Sequence, residues 1–272
     1  MTTQELFQLI ALPAPVREQF ERWEAEGVSV MTPDLESRLL CREKWAEAWQ
    51  DLTALLGEDP GHLRALLEEL TVAARQYPKW VQAGIPLEIY RDTMAFATRY
   101  LKDGLAAYGE YCFTAGWWFP RQLALELFRL GSLEFELFPH EEGKRIYIHI
   151  PTNASLAPES IDDSLKRLRA FLADFYPEWA DAPVYCDSWL MTPVLKELLP
   201  PASRILGFQR RFRLLSVNRE SMGAVDWVYP GHKGISEDLP EETTLQKKMK
   251  PFLLAGGKPG WAEGILVTES EE

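Results

Sequence analysis

Two rhythms of apolar and polar residues divide the chain. From residue 1 to about 130 the apolar positions recur every three or four residues, the spacing that lines one side of a helix. Leu63, Leu66, Leu67, Leu70 and Ala74 form one such stripe, and Tyr90, Met94 and Leu101 another. Thr32 before Pro33 and Asp59 before Pro60 each set a capping side chain ahead of a proline suited to the first helical turn, and so predict helix starts. Pro86 opens a further segment, and Gly57 closes a helix. The first half therefore reads as a helical domain whose Trp and Leu residues pack helix on helix.

The rhythm changes to a period of two at "LGSLEFELFPHEEGKRIYIHIP". Leu133, Phe135 and Leu137 alternate with Glu134 and Glu136; beyond "PHEEGK", Ile146, Ile148 and Ile150 alternate with Tyr147 and His149, which predicts a hairpin. Ile161, Leu165, Leu168, Leu172 and Phe175 then mark one side of a helix that Pro177 ends. "PVYCDSWL" reads as a short strand, "TPVLKELLP" as a short helix, "SRILGFQRRFRLLSV" as a long strand and "AVDWVYP" as another strand. A helix over about 242 to 254 stops at Gly256 and Gly257, and "WAEGILV" is a possible terminal strand. Alternating strands and helices predict a mixed α/β, or α+β, sheet. The tail "TESEE" reads as disordered.

Composition narrows the range of functions. With 272 residues and 46% hydrophobic content, the chain can build a sizeable core. A formal net charge of −12 repels nucleic-acid backbones and anionic membranes, so neither is expected as a partner. No apolar run approaches the roughly 20 residues that span a bilayer, and the N-terminus does not read as a signal peptide; the expected location is cytoplasmic. Cys41, Cys112 and Cys186 are scattered, which suits reduced core residues better than a disulfide framework or zinc spacing.

Four places carry candidate chemistry. In the hairpin, pairing Phe138 with Arg145 puts Glu134 opposite His149 and Glu136 opposite Tyr147, four polar side chains on one face. A carboxylate beside an imidazole can take a proton from an amine, directly or through water. The plain reading of the same alternation is a half-exposed hairpin with its polar face in water. After the second strand, Thr152 to Leu156 lead into a helix whose N-terminal amides can hold an anion, with Asn153 and Ser155 beside them; an ordinary strand-to-helix loop is the plain alternative. Asp187 and Ser188 fall near a strand's C-terminal end, where ligands of open sheets collect, and Cys186 beside them is more simply a core residue than a nucleophile. Arg210 is expected among the apolar residues of the long strand, paired with a buried anion or turned outward, while Lys166, Arg167 and Arg169 form a solvated helix face. His62, His140 and His232 lack metal-ligand spacing, so no metal is expected.

The segments "LFRLGSLEFEL", "RIYIHIPTNASLAPE", "VYCDSWLMTPVLKELLP", "RILGFQRRF" and "LPEETTLQKKMKPFLLAGGKPG" resemble a bacterial acyltransferase-domain family. Its members join a helical N-acyltransferase N-terminal domain, here residues 1–116, to a GNAT-like C-terminal domain, here 117–272. The resemblance implies a GNAT-like mixed sheet with flanking helices and transfer of an acyl group from acetyl-CoA or another acyl-CoA to a small-molecule or peptide amine. It implies a central strand at 145–151 splayed from a neighbour at 183–189, with Ile150 and Thr152, Asn153, Ala154, Ser155 and Leu156 meeting the cofactor. Glu134, His149, Asp187 and Ser188 are then the candidate catalytic residues. "PTNASLAPE" departs from the family's glycine-rich phosphate loop, and "TPVLKELLP" lacks its thiolate-protonating tyrosine. A non-catalytic GNAT-like scaffold binding a protein or metabolite is the alternative.

Overall fold

The computed structural model describes residues 1–27 and 29–267, so the acidic tail "TESEE" lies outside the described residues. The chain divides into two units, Met1–Leu130 and Gly131–Glu272.

The first unit is helical, as the three-to-four spacing predicts. Its helices are α1 (Thr3–Leu9), α2 (Ala14–Glu26), α3 (Pro33–Leu39), α4 (Trp45–Leu56), α5 (Leu63–Gln82), α6 (Leu87–Met94), α7 (Phe96–Tyr108) and α8 (Pro120–Leu123). Thr32 accepts a hydrogen bond from the Leu35 amide at 3.2 Å and caps α3, with Pro33 at its first position. At Asp59 the expectation shifts by a turn. The helix begins at Leu63 rather than at Pro60, because Asp59 reaches forward to accept from the amides of Arg64 and Ala65, with His62 at φ 51° between them. The stripe on α5 packs inward: Leu66 and Leu70 are fully buried. Tyr90 and Met94 lie on α6 and Leu101 on α7, all buried, with the break between the helices at Ala95. Trp80 stands edge-on to both Tyr90 and Phe128, ring centroids 5.2 and 5.4 Å apart. A short strand, β1 (Leu127–Leu130), closes this unit where helical spacing was expected to continue; four residues are too few for periodicity to separate the two states.

Glu69 sits on the buried side of α5, fully enclosed, and neither carboxylate oxygen has a partner among the described residues. Burial therefore raises its pKa well above the ordinary carboxylate value. The folded state then holds a proton that the unfolded state releases above about pH 4.5. Stability should fall as pH rises through that point, by up to about 1.4 kcal/mol per pH unit, until the folded-state carboxyl also ionises. Glu69→Gln is expected to flatten this slope, so urea melts at pH 5 and pH 8 should differ less for the variant than for the wild-type chain.

The second unit contains β2 (Leu133–His140), β3 (Gly143–His149), α9 (Pro158–Phe175), β4 (Val184–Ser188), α10 (Leu195–Leu198), α11 (Arg204–Gln209), β5 (Phe212–Asn218), α12 (Ala224–Val228), α13 (Thr244–Leu254) and β6 (Trp261–Leu266). Its strands lie in the order β2-β3-β4-β6-β5, with β3 and β4 parallel and the other neighbours antiparallel. Helix α9 is the crossover between the two parallel strands. It buries Ile161, Leu165, Leu168, Phe171 and Leu172, while one face of β2 and β3 buries Leu133, Phe135, Leu137, Ile146 and Ile148. A second core runs from Leu190 through Leu206 and Tyr229 to Leu253, with Ile150 packed against it. On the edge strand β5, one extra residue between Leu214 and Ser216 makes a bulge against β6.

Two predicted strands are different. The long strand over 203–217 is instead α11 followed by β5. Ser203 caps the Ile205 amide, and buried Gln209 is fixed by donating to the carbonyls of Leu190 and Thr192, so packing overrides the apparent alternation. The segment "AVDWVYP" is α12, whose Ala224 and Val228, four apart, face inward. Gly223, its N-cap residue, packs closely on the Trp261 ring: a Cβ there would come within 3.2 Å of that ring.

Candidate active site

The β2–β3 hairpin has the register its alternation predicts, with Phe138 opposite Arg145, Glu136 opposite Tyr147 and Glu134 opposite His149. Its polar face is not in water, contrary to the plain reading: Glu134 and Glu136 are 3% and 4% exposed. His149 reaches diagonally across the ladder: its Nε2 lies 2.9 Å from Oε2 of Glu136. A buried carboxylate thus fixes the ring of a half-buried imidazole.

The next feature lies between β3 and β4. Their ladder registers Ile146 with Val184 and Tyr147 with Tyr185, and no later pair is registered among the described residues. Yet β3 continues to His149, and β4 continues to Ser188 while pairing with β6 through Cys186, Asp187 and Ser188. The parallel strands part beyond Tyr147 and Tyr185, and by alternation His149 and Asp187 stand on the two lips, on the same face. Asp187 is exposed; the loss of solvent on its sheet side still lifts its carboxyl above the ordinary range and the facing Glu263 charge adds to this, while the Trp261 bond and the His149 charge oppose it. Trp261 Nε1 donates to Asp187 at 2.7 Å, and the Tyr147 hydroxyl crosses β4 to donate to Glu263 at 3.1 Å. Ser188 points to the other face and is engaged in capping: its Oγ accepts from the Leu190 amide. Cys186 is fully buried and burial pushes its thiol far up, which removes it as a thiolate nucleophile and leaves it a core residue.

The loop from Pro151 follows the open end of β3. Ala154 donates its amide to the Pro151 carbonyl, turning the chain, and Pro151 itself is buried. Ser155 Oγ accepts from Ser160 Oγ at 3.0 Å. Helix α9 then starts on Pro158 with Ala157 as its cap residue, which brings no side-chain oxygen to the first turn. The amides of Ser155 and Leu156 have no acceptor among the described residues. Thr152 and Asn153 are exposed beside them, and Arg211 bonds Asp162 and the Pro158 carbonyl on the flank of that turn. Arg210 does not lie on an apolar strand face as expected. It ends α11, exposed, and donates to the Pro201 carbonyl. Lys166, Arg167 and Arg169 are on the solvated side of α9, as anticipated.

The fold brings Glu134, Glu136, Tyr147, His149, Asp187, Glu263 and Trp261 to one face. Of these, Glu263 and Trp261 escape sequence reasoning: Tyr147 and Glu263 are 116 positions apart, and a terminal strand with one acid carries no local signal. Glu136 was visible on the shared face, but only the diagonal bond singles it out.

A mixed sheet whose parallel pair stops registering before either strand ends, followed by a loop and a helix, is the arrangement of a GNAT-like fold. Residues 127–266 match the model of the GNAT-like C-terminal domain and residues 1–125 that of the N-acyltransferase N-terminal domain. The chain belongs to this acyltransferase family. Among solved structures it is similar to an acyltransferase in complex with decanoyl-CoA and teicoplanin, at 22% identity and TM-score 0.77, over 97% of this chain and 87% of that one. It is likewise similar to an acyltransferase in complex with CoA and 10C-teicoplanin, at 21% identity and TM-score 0.78 over the same shares, 97% and 87%. A third, an acyltransferase in complex with decanoyl-CoA, is 24% identical with TM-score 0.75, over 97% of this chain and 86% of that one. No curated protein sequence matches the chain. Among the described residues no helix is long and apolar enough to cross a membrane.

Proposed function

We propose that the protein is an acyl-CoA-dependent N-acyltransferase whose thioester lies in the wedge between β3 and β4. The observation that carries this reading is the ladder that stops at Tyr147 and Tyr185 while both strands continue, with His149 on one lip and the amides of Ser155 and Leu156 just beyond. In this reading the pantetheine arm takes backbone partners on the open edges, and the diphosphate rests at the start of α9, where amides and the helix dipole favour negative charge. Ile150 and Thr152 to Leu156 line that path. The residues present fit such a cofactor without a glycine: the turn at Pro151–Ala154 and the absence of a capping side chain leave the amides open.

For the chemistry, an acceptor amine approaching the lip loses its proton to His149, which Glu136 holds in orientation and stabilises once it is charged. Glu134, opposite His149 in the ladder and buried on the same face, is a second carboxyl beside the ring. The nitrogen attacks the thioester carbonyl, and closeness of the two reactants supplies much of the rate. The acceptor is a small-molecule or peptide amine. One of the similar structures holds decanoyl-CoA and teicoplanin, another CoA and 10C-teicoplanin, and a third octanoyl-CoA, so acetyl-, octanoyl- and decanoyl-CoA are the donors to compare.

Calorimetry with this donor series should show saturable binding; no heat with any of them would remove the proposal. Ser155→Asp places a fixed charge at the diphosphate seat and should weaken binding of every donor equally, by roughly five- to thirtyfold for a penalty of about 1–2 kcal/mol. Tight binding of an acyl-CoA with no transfer of its acyl group to any amine would favour the scaffold reading.

A further inference from the structure

On the sheet face that carries His149, charge changes sign along the strands. The acids of this face, Glu134, Glu136, Asp187 and Glu263, lie toward the end of β3 where His149 stands. Near the start of the same strand, and on the same face by alternation, stands a cation, Arg145. An aromatic floor joins the two ends: Tyr147 and Tyr185 pair across the β3–β4 ladder with ring centroids 5.7 Å apart, and Phe138 stands edge-on to Tyr147 at 5.5 Å. A strand rises about 3.3 Å per residue, which sets Arg145 and His149 about 13 Å apart along β3.

The cationic end is also a cavity. An open pocket of about 400 Å³ is lined there by Lys144, Arg145 and Tyr185, together with Glu142, Glu178 and Asp181, all three of these acids exposed. The Arg145 guanidinium lies over the Tyr185 ring, 5.0 Å from its centroid, and its Nη2 donates to Oε2 of Glu142 at 2.8 Å. The Glu142 side chain is 78% exposed and that of Arg145 only 19%, so water screens the acid far more than the base. Lys144 is held at the side, its Nζ donating to the Glu178 carbonyl at 2.8 Å. A carboxylate entering the pocket can therefore take the place of Glu142 on a fork of donors already fixed by stacking.

We propose that this cavity is a carboxylate subsite for the far end of the acceptor, with Arg145 as its specificity-determining residue, and that the acceptor is a short linear peptide whose N-terminal amine meets His149. The inference rests on the acyl-transfer reading above and names the acceptor within it. Acids draw the amine to one end of the face and the guanidinium draws the carboxylate to the other, so a dipolar chain has one favoured direction on the sheet. Four extended residues cover about 13–14 Å, enough to join the two ends. An aromatic side chain between them meets Tyr147 and Tyr185. Two residues cover about 7 Å and cannot reach both ends.

The test measures acyl transfer to Gly-Phe-Gly-Gly and to Gly-Phe, each as the free acid and as the C-terminal amide, with the acyl-CoA that binds tightest in calorimetry. For the tetrapeptide, the wild-type kcat/KM should favour the acid over the amide by roughly tenfold, and Arg145→Gln should bring that ratio to within about twofold of unity. Glu142→Gln, which removes the competing acid, should raise the ratio. The dipeptide acid should gain nothing over its amide. Equal use of the tetrapeptide acid and amide by the wild-type chain, or a preference that Arg145→Gln leaves intact, would overturn the inference while leaving acyl transfer standing. Transfer to a simple amine such as tyramine with none to either peptide would do the same. Failure of the wild-type chain to bind any acyl-CoA would overturn both.

Discussion

Replacement of His149 by alanine is expected to lower the rate of acyl transfer by roughly 10²- to 10⁴-fold, the range over which a positioned general base acts. The loss should appear in kcat, with acyl-CoA affinity changed little, because in the proposed mechanism the imidazole meets the amine and not the diphosphate. Glu136→Gln should give a smaller loss in the same direction: the amide can still hold the ring at 2.9 Å but cannot stabilise the imidazolium. Release of free thiol, followed with saturating acyl-CoA and a range of amines, gives both quantities. A His149→Ala variant with unchanged kcat would show that the acceptor loses its proton to some other group. A parallel loss of cofactor affinity would place the ring in binding instead.

Trp80→Ala should be the most damaging single change to the helical unit, costing about 3–5 kcal/mol. Its side chain is fully buried and its ring is the hinge of an aromatic set, edge-on to Tyr90 on α6 and to Phe128 on β1. Truncation removes both contacts and leaves a void that rigid neighbours cannot fill. Trp80→Phe should cost far less, since it keeps an aromatic ring in place and deletes an indole N–H that has no acceptor among the described residues. Urea unfolding followed by far-ultraviolet dichroism would report the difference, with the two units allowed separate transitions. A shift of under about 1 kcal/mol for the alanine variant would mean that the surrounding rings collapse into the space.

Long periodic segments were legible in the sequence. The stripe of α5, the hairpin down to its register and the amphipathic α9 each repeat one spacing often enough to leave a single solution. What failed was short. "RILGFQ" and "AVDWV" alternate by chance over a few residues, and partners distant in sequence, Leu190 and Thr192 for Gln209 and Trp261 for Gly223, decide their state. The site divides in the same way. Glu134, Glu136 and His149 were readable because one hairpin brings them together, but their burial was not, since alternation fixes which residues share a face and says nothing of what covers it. Glu263 and Trp261 join the face only when β6 pairs with β4, a contact no local pattern encodes. Alternation along β4 sends Asp187 and Ser188 to opposite sides in the sequence, and the structure keeps them there.

The extra residue in β5 also governs how these molecules tolerate crowding. A sheet that ends in a straight rim offers every passing copy a row of ready partners, and Leu214 and Leu215, 41% and 44% exposed, would make that rim sticky. Because Leu215 is squeezed out of step between Leu214 and Ser216, the rim kinks and no longer presents a regular template. The greasy pair can therefore remain at the surface without inviting one sheet to extend into the next.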